Sequence, residues 1–296
     1  MQDVVGRVAV VTGAASGIGR AMIDRFAAAD MKVVLADIEA EALDKAEAEV
    51  RSAGAETLSV VTDVSSRSSV DALAAAVVDR FGGVHVLCNN AGVSGGFGGA
   101  LWDTTERDWA WVMGVNLMGV VHGIQAFLPG MVARGEPGHV VNTSSVLGLA
   151  TGGGSIYGVT KHAVTRLSEG LWYDLRAAGA PIGVSVLCPG MIATQIISSG
   201  RNRPDELRND ADPTGPEVEQ RVAMVQQLFA KEGMPPSEVA DLVFDAVLAE
   251  KFSVLTHPEA EKETVRARFE AILAESDPPP PRTDGGFMSM GRRRPS

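Results

Sequence analysis

"VVTGAASGIGRAM", residues 10–22, runs from the end of one β-branched stretch into an amphipathic one. Gly13, Gly17 and Gly19 permit three things a side chain would block: a tight turn, close approach of a phosphate to the backbone, and close packing of helix on strand. A helix beginning there presents unpaired N–H groups and about half a positive charge, which suits a pyrophosphate. Ser16, Ile18 and the three glycines are therefore the first candidate cofactor contacts. A glycine triplet alone is a weak signal, since turns use glycine everywhere; its position at the first strand-to-helix junction carries the reading. Asp37 closes the next β-branched run, with Ile38 beside it. A carboxylate there can accept hydrogen bonds from both ribose hydroxyls of NAD and would repel a 2′-phosphate. Ala14 and Ala15 occupy the turn, so no cation stands ready for that phosphate, and NAD is expected over NADP. The same aspartate also fits a helix N-cap ahead of "EAEAL".

Working outward, short β-branched runs recur at 7–11, 32–37, 57–62, 84–89, 139–144, 182–189 and 252–256. Segments of helical periodicity lie at 17–29, 39–53, 68–81, 105–133, 157–178 and 237–249. Such alternation predicts an α/β fold of right-handed βαβ units around a parallel sheet. Runs such as "VVLA" are apolar throughout, as strands covered by helices on both faces require. Thr105 with Asp108 predicts a capped helix start, and "PPSE" (235–238) predicts a helix opening at a Ser N-cap. No composition shift divides residues 1–257, which read as one domain. Residues 195–234 break the pattern as an insertion of the kind that forms a lid or binding loop, or is disordered. A last helix is expected near 259–275, and residues 276–296, rich in Pro and Gly, read as a flexible tail.

Bulk properties narrow the function. The 296 residues are 45% apolar and 21% charged, an ordinary globular composition, and the net charge is −11. That charge argues against a nucleic-acid or anionic-membrane surface, which needs clustered cations. The basic cluster Arg292–Arg294 reads as a solvated tail. No leader or membrane-spanning run of ~20 apolar residues is visible. Cys88 and Cys188 lie in apolar surroundings and read as reduced thiols of a cytoplasmic protein. The five histidines never fall at zinc-site spacing, so no metal is expected.

"SIYGVTK" (155–161) then sets Tyr157 and Lys161 one helical turn apart in a chain with only two tyrosines. The other, Tyr173, has no lysine at i+4 and reads as packing. Together with T-G-x-x-x-G-x-G from Thr12 to Gly19, Asp63-Val64, "NNAG" (89–92), Asn116, "SS" (144–145) and "PGMIAT" (189–194), the pair resembles the short-chain dehydrogenase/reductase family. The landmarks run in order over residues 7–194. The resemblance implies one doubly wound Rossmann domain with a seven-stranded parallel sheet, the fold the strand pattern already suggested.

The resemblance also implies roles. Tyr157 is the acid/base, and Lys161 serves both the cofactor ribose and the tyrosine. A free phenol titrates near ~10, so acting at neutral pH takes roughly three units of preference for the phenolate. An ammonium one turn away, with the positive nicotinamide, is expected to supply it. A serine holds the substrate oxygen: family placement points to Ser145, but the loop to Tyr157 is one residue shorter than is common, which leaves Ser144 open. Asn116, a mild liability inside a helix, binds a water through its helix and links Lys161 to solvent. Asp63 and Val64 flank the adenine, and Asn89, Ala91 and Gly92 line the ribose side. Pro189 and Gly190 lead to Ile192 and Thr194, which grip the carboxamide. The family commonly forms homodimers and homotetramers through helices equivalent to 105–133 and 157–178.

Residues expected near the reacting carbon, Phe97, Val146, Leu147, Met191, Ile192 and Ile196, are apolar, so a neutral, hydrophobic secondary alcohol or ketone, aromatic or not, is the expected substrate. "THPE" (256–259) and the "SDP" after the last helix resemble, more loosely, C-terminally extended members that oxidise benzylic alcohols of aryl ethers. The competing reading is a catalytically silent NAD-binding sensor on the same fold, against which the intact Asn116, Ser145, Tyr157 and Lys161 set speaks.

Overall fold

The central strands are buried on both sides, and the layers follow from that. In a computed structural model that describes residues 1, 3–95, 100–151, 155–210 and 215–280, seven strands form one sheet. They are β1 (Val8–Thr12), β2 (Lys32–Asp37), β3 (Thr57–Val61), β4 (Val86–Asn89), β5 (Gly138–Thr143), β6 (Ile182–Cys188) and β7 (Ser253–Leu255). All pairs are parallel, in the order β3-β2-β1-β4-β5-β6-β7. The α-helices among the described residues are α1 (Gly17–Ala27), α2 (Ala40–Ser52), α3 (Arg67–Phe81), α4 (Glu106–Met113), α5 (Gly119–Arg134), α6 (Ile156–Ala177), α7 (Pro216–Glu232), α8 (Pro236–Ala249) and α9 (Pro258–Leu273).

Alternation of side chains along each strand builds two cores. Ala9, Val11, Val33, Leu35 and Leu187 pack with Met22, Ile23 and Phe26 of α1 and Val239, Val243 and Phe244 of α8. Val8, Val10, Val34, Leu87 and Val140 face the other way, onto Leu73 of α3, Phe127 and Met131 of α5 and Leu175 of α6. Both Cys88 and Cys188 are buried and unpaired. The chain proceeds outward from β1 to β3 and then returns to place β4 on β1's other side, which opens a crevice beyond the carboxyl ends of these strands.

Several local expectations change. The helix expected over 105–133 is interrupted by a π turn, Gly114–Met118, centred on Asn116; such turns are common where function demands a displaced residue. Its start is as expected, with the Thr105 hydroxyl accepting from Asp108 N–H and the Asp108 carboxylate from Thr105 N–H. By length and mean hydropathy the run Glu106–Arg134 could cross a bilayer, but Val120, Phe127, Leu128 and Met131 are spent on the core. Helix α8 opens at Pro236 behind Pro235, so Ser237 lies inside its first turn, because proline's fixed φ already suits that position. Tyr173 is 67% exposed and stands edge-on to Trp172, not packed in the core. The described residues of the insertion are folded: a 3₁₀ turn (Ile196–Asn202), a second (Asp205–Leu207) and α7, whose Val222, Val225 and Phe229 pack on Met191, Ile196 and Ile197. Before the chain leaves the described residues, Pro279 O accepts from Thr151 Oγ1, so the tail's first residues lie back on their own chain. Arg292–Arg294 and Phe97 fall outside the described residues.

A Cβ on Gly19 would sit 2.0 Å from Gly13 O, inside the turn's own backbone. Gly19→Ala is therefore expected to cost about 1–3 kcal/mol of stability through overpacking. Gly130→Ala, on an exposed turn of α5 with nothing within 4 Å, should instead gain about 0.5–1 kcal/mol. Urea unfolding of the two variants beside the parent measures both; equal stability of Gly19→Ala would contradict the packing.

Candidate active site

The crevice is a cleft of about 710 Å³ that runs from Asp37 and the glycine turn at one end to Tyr157, α7 and α9 at the other. Its floor is tied together at the point where strand order reverses. Thr12 Oγ1 accepts the N–H groups of Asn90 (2.9 Å) and Ala91 (3.1 Å), and Asn90 Nδ2 donates to Thr12 O (3.0 Å). Gly13 and Gly17 adopt left-handed φ angles of +67° and +56°. A Cβ on Gly13 would lie 2.9 Å from Ala91 Cα, and one on Gly17 3.1 Å from Thr194 Cγ2. Ser16 makes no side-chain cap on α1, so the first-turn N–H groups are left to the cleft. Asp37 accepts from Ala15 N–H (2.9 Å) and Glu39 N–H (3.1 Å), which pins the glycine turn to the β2–α2 turn. The N-cap of α2 is Glu39, not Asp37. A backbone cradle without side chains, uncapped helix amides and a carboxylate at the end of β2 fit a nicotinamide dinucleotide.

The other expected contacts mostly line the cleft: Ser16, Ile18, Ile38, Asp63, Val64, Ala91, Gly92, Pro189, Gly190, Ile192 and Thr194. Asn89 does not. Being the last residue of β4, it alternates to the helix side, where its Nδ2 donates to Asn142 Oδ1 (2.9 Å) and its Oδ1 packs on Gly123, which has no Cβ to collide with it. Asn90, the next residue, takes the place at the cleft. The expectation of no cation near residue 38 also fails. Arg201 arrives from the 3₁₀ turn after β6 and donates through Nε to Glu39 (3.3 Å), beside Asn202 Nδ2 (2.8 Å). That pair holds the Glu39 carboxyl below its usual range. Nothing local in sequence announces a partner 162 residues away.

At the far end, the choice between the two serines is decided by geometry. Ser144 Oγ donates to Lys161 O (2.7 Å) and neighbours Thr165 Oγ1 (2.8 Å), so its hydroxyl is spent on α6. Ser145 lines the cleft with Tyr157 and favours its phenolate; its Oγ lies 3.4 Å from Pro189 O and accepts from Leu147 N–H. Lys161 is 2% exposed, donates to Thr143 O (2.8 Å), and stands 5.5 Å from the Tyr157 ring centre. Asn116 is fully buried and does not reach the cleft: its amide bonds both backbone groups of Val93 (2.8 and 3.0 Å) and Thr160 Oγ1 (3.2 Å). It fixes the strand-end loop against α6, a positioning role.

The electrostatics differ from the expectation. Burial pushes the Tyr157 phenol up to about 12, with Cys188 adding to the rise, and the hydrogen bond from Ser145 only partly offsets it. Burial lowers the Lys161 ammonium to about 8. The lysine alone therefore does not bring the phenol toward neutrality, because desolvation disfavours both charged forms at once.

Val146, Leu147, Met191 and Ile196 line the cleft as expected, and the tertiary structure adds Trp111, Val225 and Phe229. The "VAMVQQLF" periodicity was the signal for the last two. His257, the N-cap of α9, and Glu261 within that helix also line the cleft, part of the "THPE" landmark and its helix.

Residues 7–205 match the family model described as short chain dehydrogenase. A "CLA biosynthesis dehydrogenase/reductase" of Lactiplantibacillus plantarum is 33% identical over 94% of this chain and 97% of its own. A "C alpha-dehydrogenase" of Sphingobium sp. is 33% identical over 99% and 96%. Among solved structures, a short chain dehydrogenase/reductase from Burkholderia phymatum in complex with NAD has a TM-score of 0.90 and 45% identity, covering 96% of this chain and 100% of that one. With the glycine turn, the parallel seven-stranded sheet and the Tyr157–Lys161 pair facing one crevice, this chain belongs to the short chain dehydrogenase family of oxidoreductases.

Proposed function

We propose that this protein is an NAD-dependent alcohol dehydrogenase or ketoreductase acting on a hydrophobic secondary alcohol or its ketone. One observation carries the reading: Ser145 and Tyr157 line the same end of the cleft beside a buried Lys161, and the opposite end holds Asp37 and the glycine turn. When bound, the nicotinamide supplies the hydride acceptor or donor. Gly13, Gly17 and the α1 amides hold its pyrophosphate, Asp37 the adenosine ribose, and Lys161 the nicotinamide ribose. Ser145 orients the substrate oxygen, and Tyr157 Oη takes the hydroxyl proton in oxidation or returns it in reduction. Proton transfer by a positioned group contributes roughly 10²–10⁴-fold to turnover, and fixing the reacting carbons at near-attack distance removes much of the entropic barrier. The folded insertion acts as a lid, since α7 closes the substrate end with Val225 and Phe229. That apolar wall, with Val146, Leu147 and Met191, supports a substrate with an apolar body.

Tyr157→Phe should lose nearly all turnover, by roughly 10²-fold or more, while still quenching or enhancing NADH fluorescence on binding. Turnover close to the parent's would rule out the acid/base role.

Oxidation needs the phenolate together with the Lys161 ammonium, whereas reduction needs the neutral phenol and the same ammonium. With the lysine at about 8 and the tyrosine at about 12, the oxidising pair grows tenfold per pH unit up to about 8 and is then level. The reducing pair is level below about 8 and falls tenfold per unit above it. Initial rates in both directions between pH 6 and 10 test this; parallel profiles would contradict it.

Asp37 and the Glu39–Arg201 pair leave the ribose end acidic, with its cation engaged. NAD should exceed NADP by about tenfold or more in kcat/KM, or about 1.4 kcal/mol. Steady-state rates with each cofactor decide it, and a preference for NADP refutes it.

A further inference from the structure

Thr256, His257 and Glu261 form a hydrogen-bonded cluster where α9 begins, against the turn that follows β6. Thr256 Oγ1 accepts the Gly190 N–H at 2.9 Å and lies 2.8 Å from His257 Nδ1 and 3.3 Å from Glu261 Oε1. Glu261 Oε2 accepts the His257 N–H at 3.1 Å, and the glutamate is only 3% exposed. The turn fits the cluster closely. A Cβ on Gly190 would stand 2.7 Å from His257 Nδ1 and 2.9 Å from Glu261 Oε1.

The peptide unit that donates to Thr256 has a second end. Pro189 O accepts the Val146 N–H at 2.9 Å and lies 3.4 Å from Ser145 Oγ. Pro189 C=O and Gly190 N–H belong to one resonance-planar unit, so the two ends cannot turn independently. We propose that Glu261, acting through Thr256 and the Pro189–Gly190 peptide, positions the Ser145 hydroxyl against Tyr157. The inference rests on the roles given above to Ser145 and Tyr157, and it makes α9 part of the reaction centre.

Chemistry explains why an acid stands there. Glu261 Oε1 accepts the single Thr256 hydrogen, which leaves the threonine lone pairs for Gly190 N–H, while burial raises the pKa of the carboxyl. The cluster is thereby polarised in one direction, toward the peptide that meets Ser145. The carboxylate also sits in the first turn of α9, where the helix end favours negative charge. Titratable groups around the chain of contacts are Lys161 on the tyrosine's own helix, Cys188 on β6, and His257 and Glu261 on α9.

The test is kinetic. Thr256→Val keeps the side-chain shape and removes the hydroxyl, and should lower kcat about tenfold through misplacement of Ser145, with KM for NAD changed less than about twofold. Thr256→Ser should restore kcat, and Glu261→Gln should fall in the same direction as Thr256→Val. In a Ser145→Ala background, Thr256→Val should have no further effect, since the group it positions is gone. Independent, multiplicative losses in that double variant, or a lowered thermal midpoint with kcat per active site intact, overturn the positioning role. Unchanged turnover in Ser145→Ala alone would overturn the catalytic reading of that serine, and this inference with it.

Discussion

The contact between the glycine turn and the end of β4 holds the molecule's chemistry together. Thr12 accepts from two successive amides of the neighbouring strand end, and Gly13 approaches Ala91 so closely that a methyl group would collide with its backbone. That closeness brings the amino end of α1, the carboxylate of Asp37 and the Asn90–Gly92 loop to one crevice. Move α1 outward by the width of a side chain and the cradle opens and the helix amides retreat from the crevice. The restriction is steric before it is electrostatic, which is why small residues recur exactly where strands exchange order.

The reaction centre is built at the other end of the same crevice from groups that burial makes uncomfortable. Lys161 and Tyr157 are both drawn away from their charged forms, so the protein scaffold sets up a neutral phenol and a weakly held ammonium. Each relies on a backbone or hydroxyl partner: Lys161 donates to Thr143 O, and Ser145 stands beside the tyrosine and favours its phenolate. Asn116 gives up its helical regularity to hold Val93 beside this pair. The polar network is therefore kept in place by main-chain geometry, while the apolar residues of α7 and of the turns after β5 and β6 shape the space in front of it.

Two segments that interrupt or follow the βα alternation finish the site. The described part of the 195–234 insertion reaches in both directions: Arg201 toward Glu39 near Asp37, Val225 and Phe229 toward the end of the cleft that holds Tyr157. Helix α9 closes the rear of the turn after β6. Both lie far in sequence from the groups they meet, and neither belongs to the repeating unit that generates the sheet.

Local pattern was enough for the sheet, the glycine turn, Asp37, and the Tyr157–Lys161 spacing, because each depends on residues within one strand–turn–helix unit or one helical turn. Ser145 could be narrowed only to a pair, since both hydroxyls follow the same strand and which one faces the tyrosine depends on how β5 meets α6. Asn89 was misplaced for a similar reason: a strand end offers two successive side chains to opposite sides, and only the packed helices reveal which side is the cleft. Arg201, Glu261 and the raised phenol belong wholly to the tertiary structure. Their partners are brought near by the path of the chain, and desolvation is a property of everything around a group, which no stretch of neighbouring residues contains.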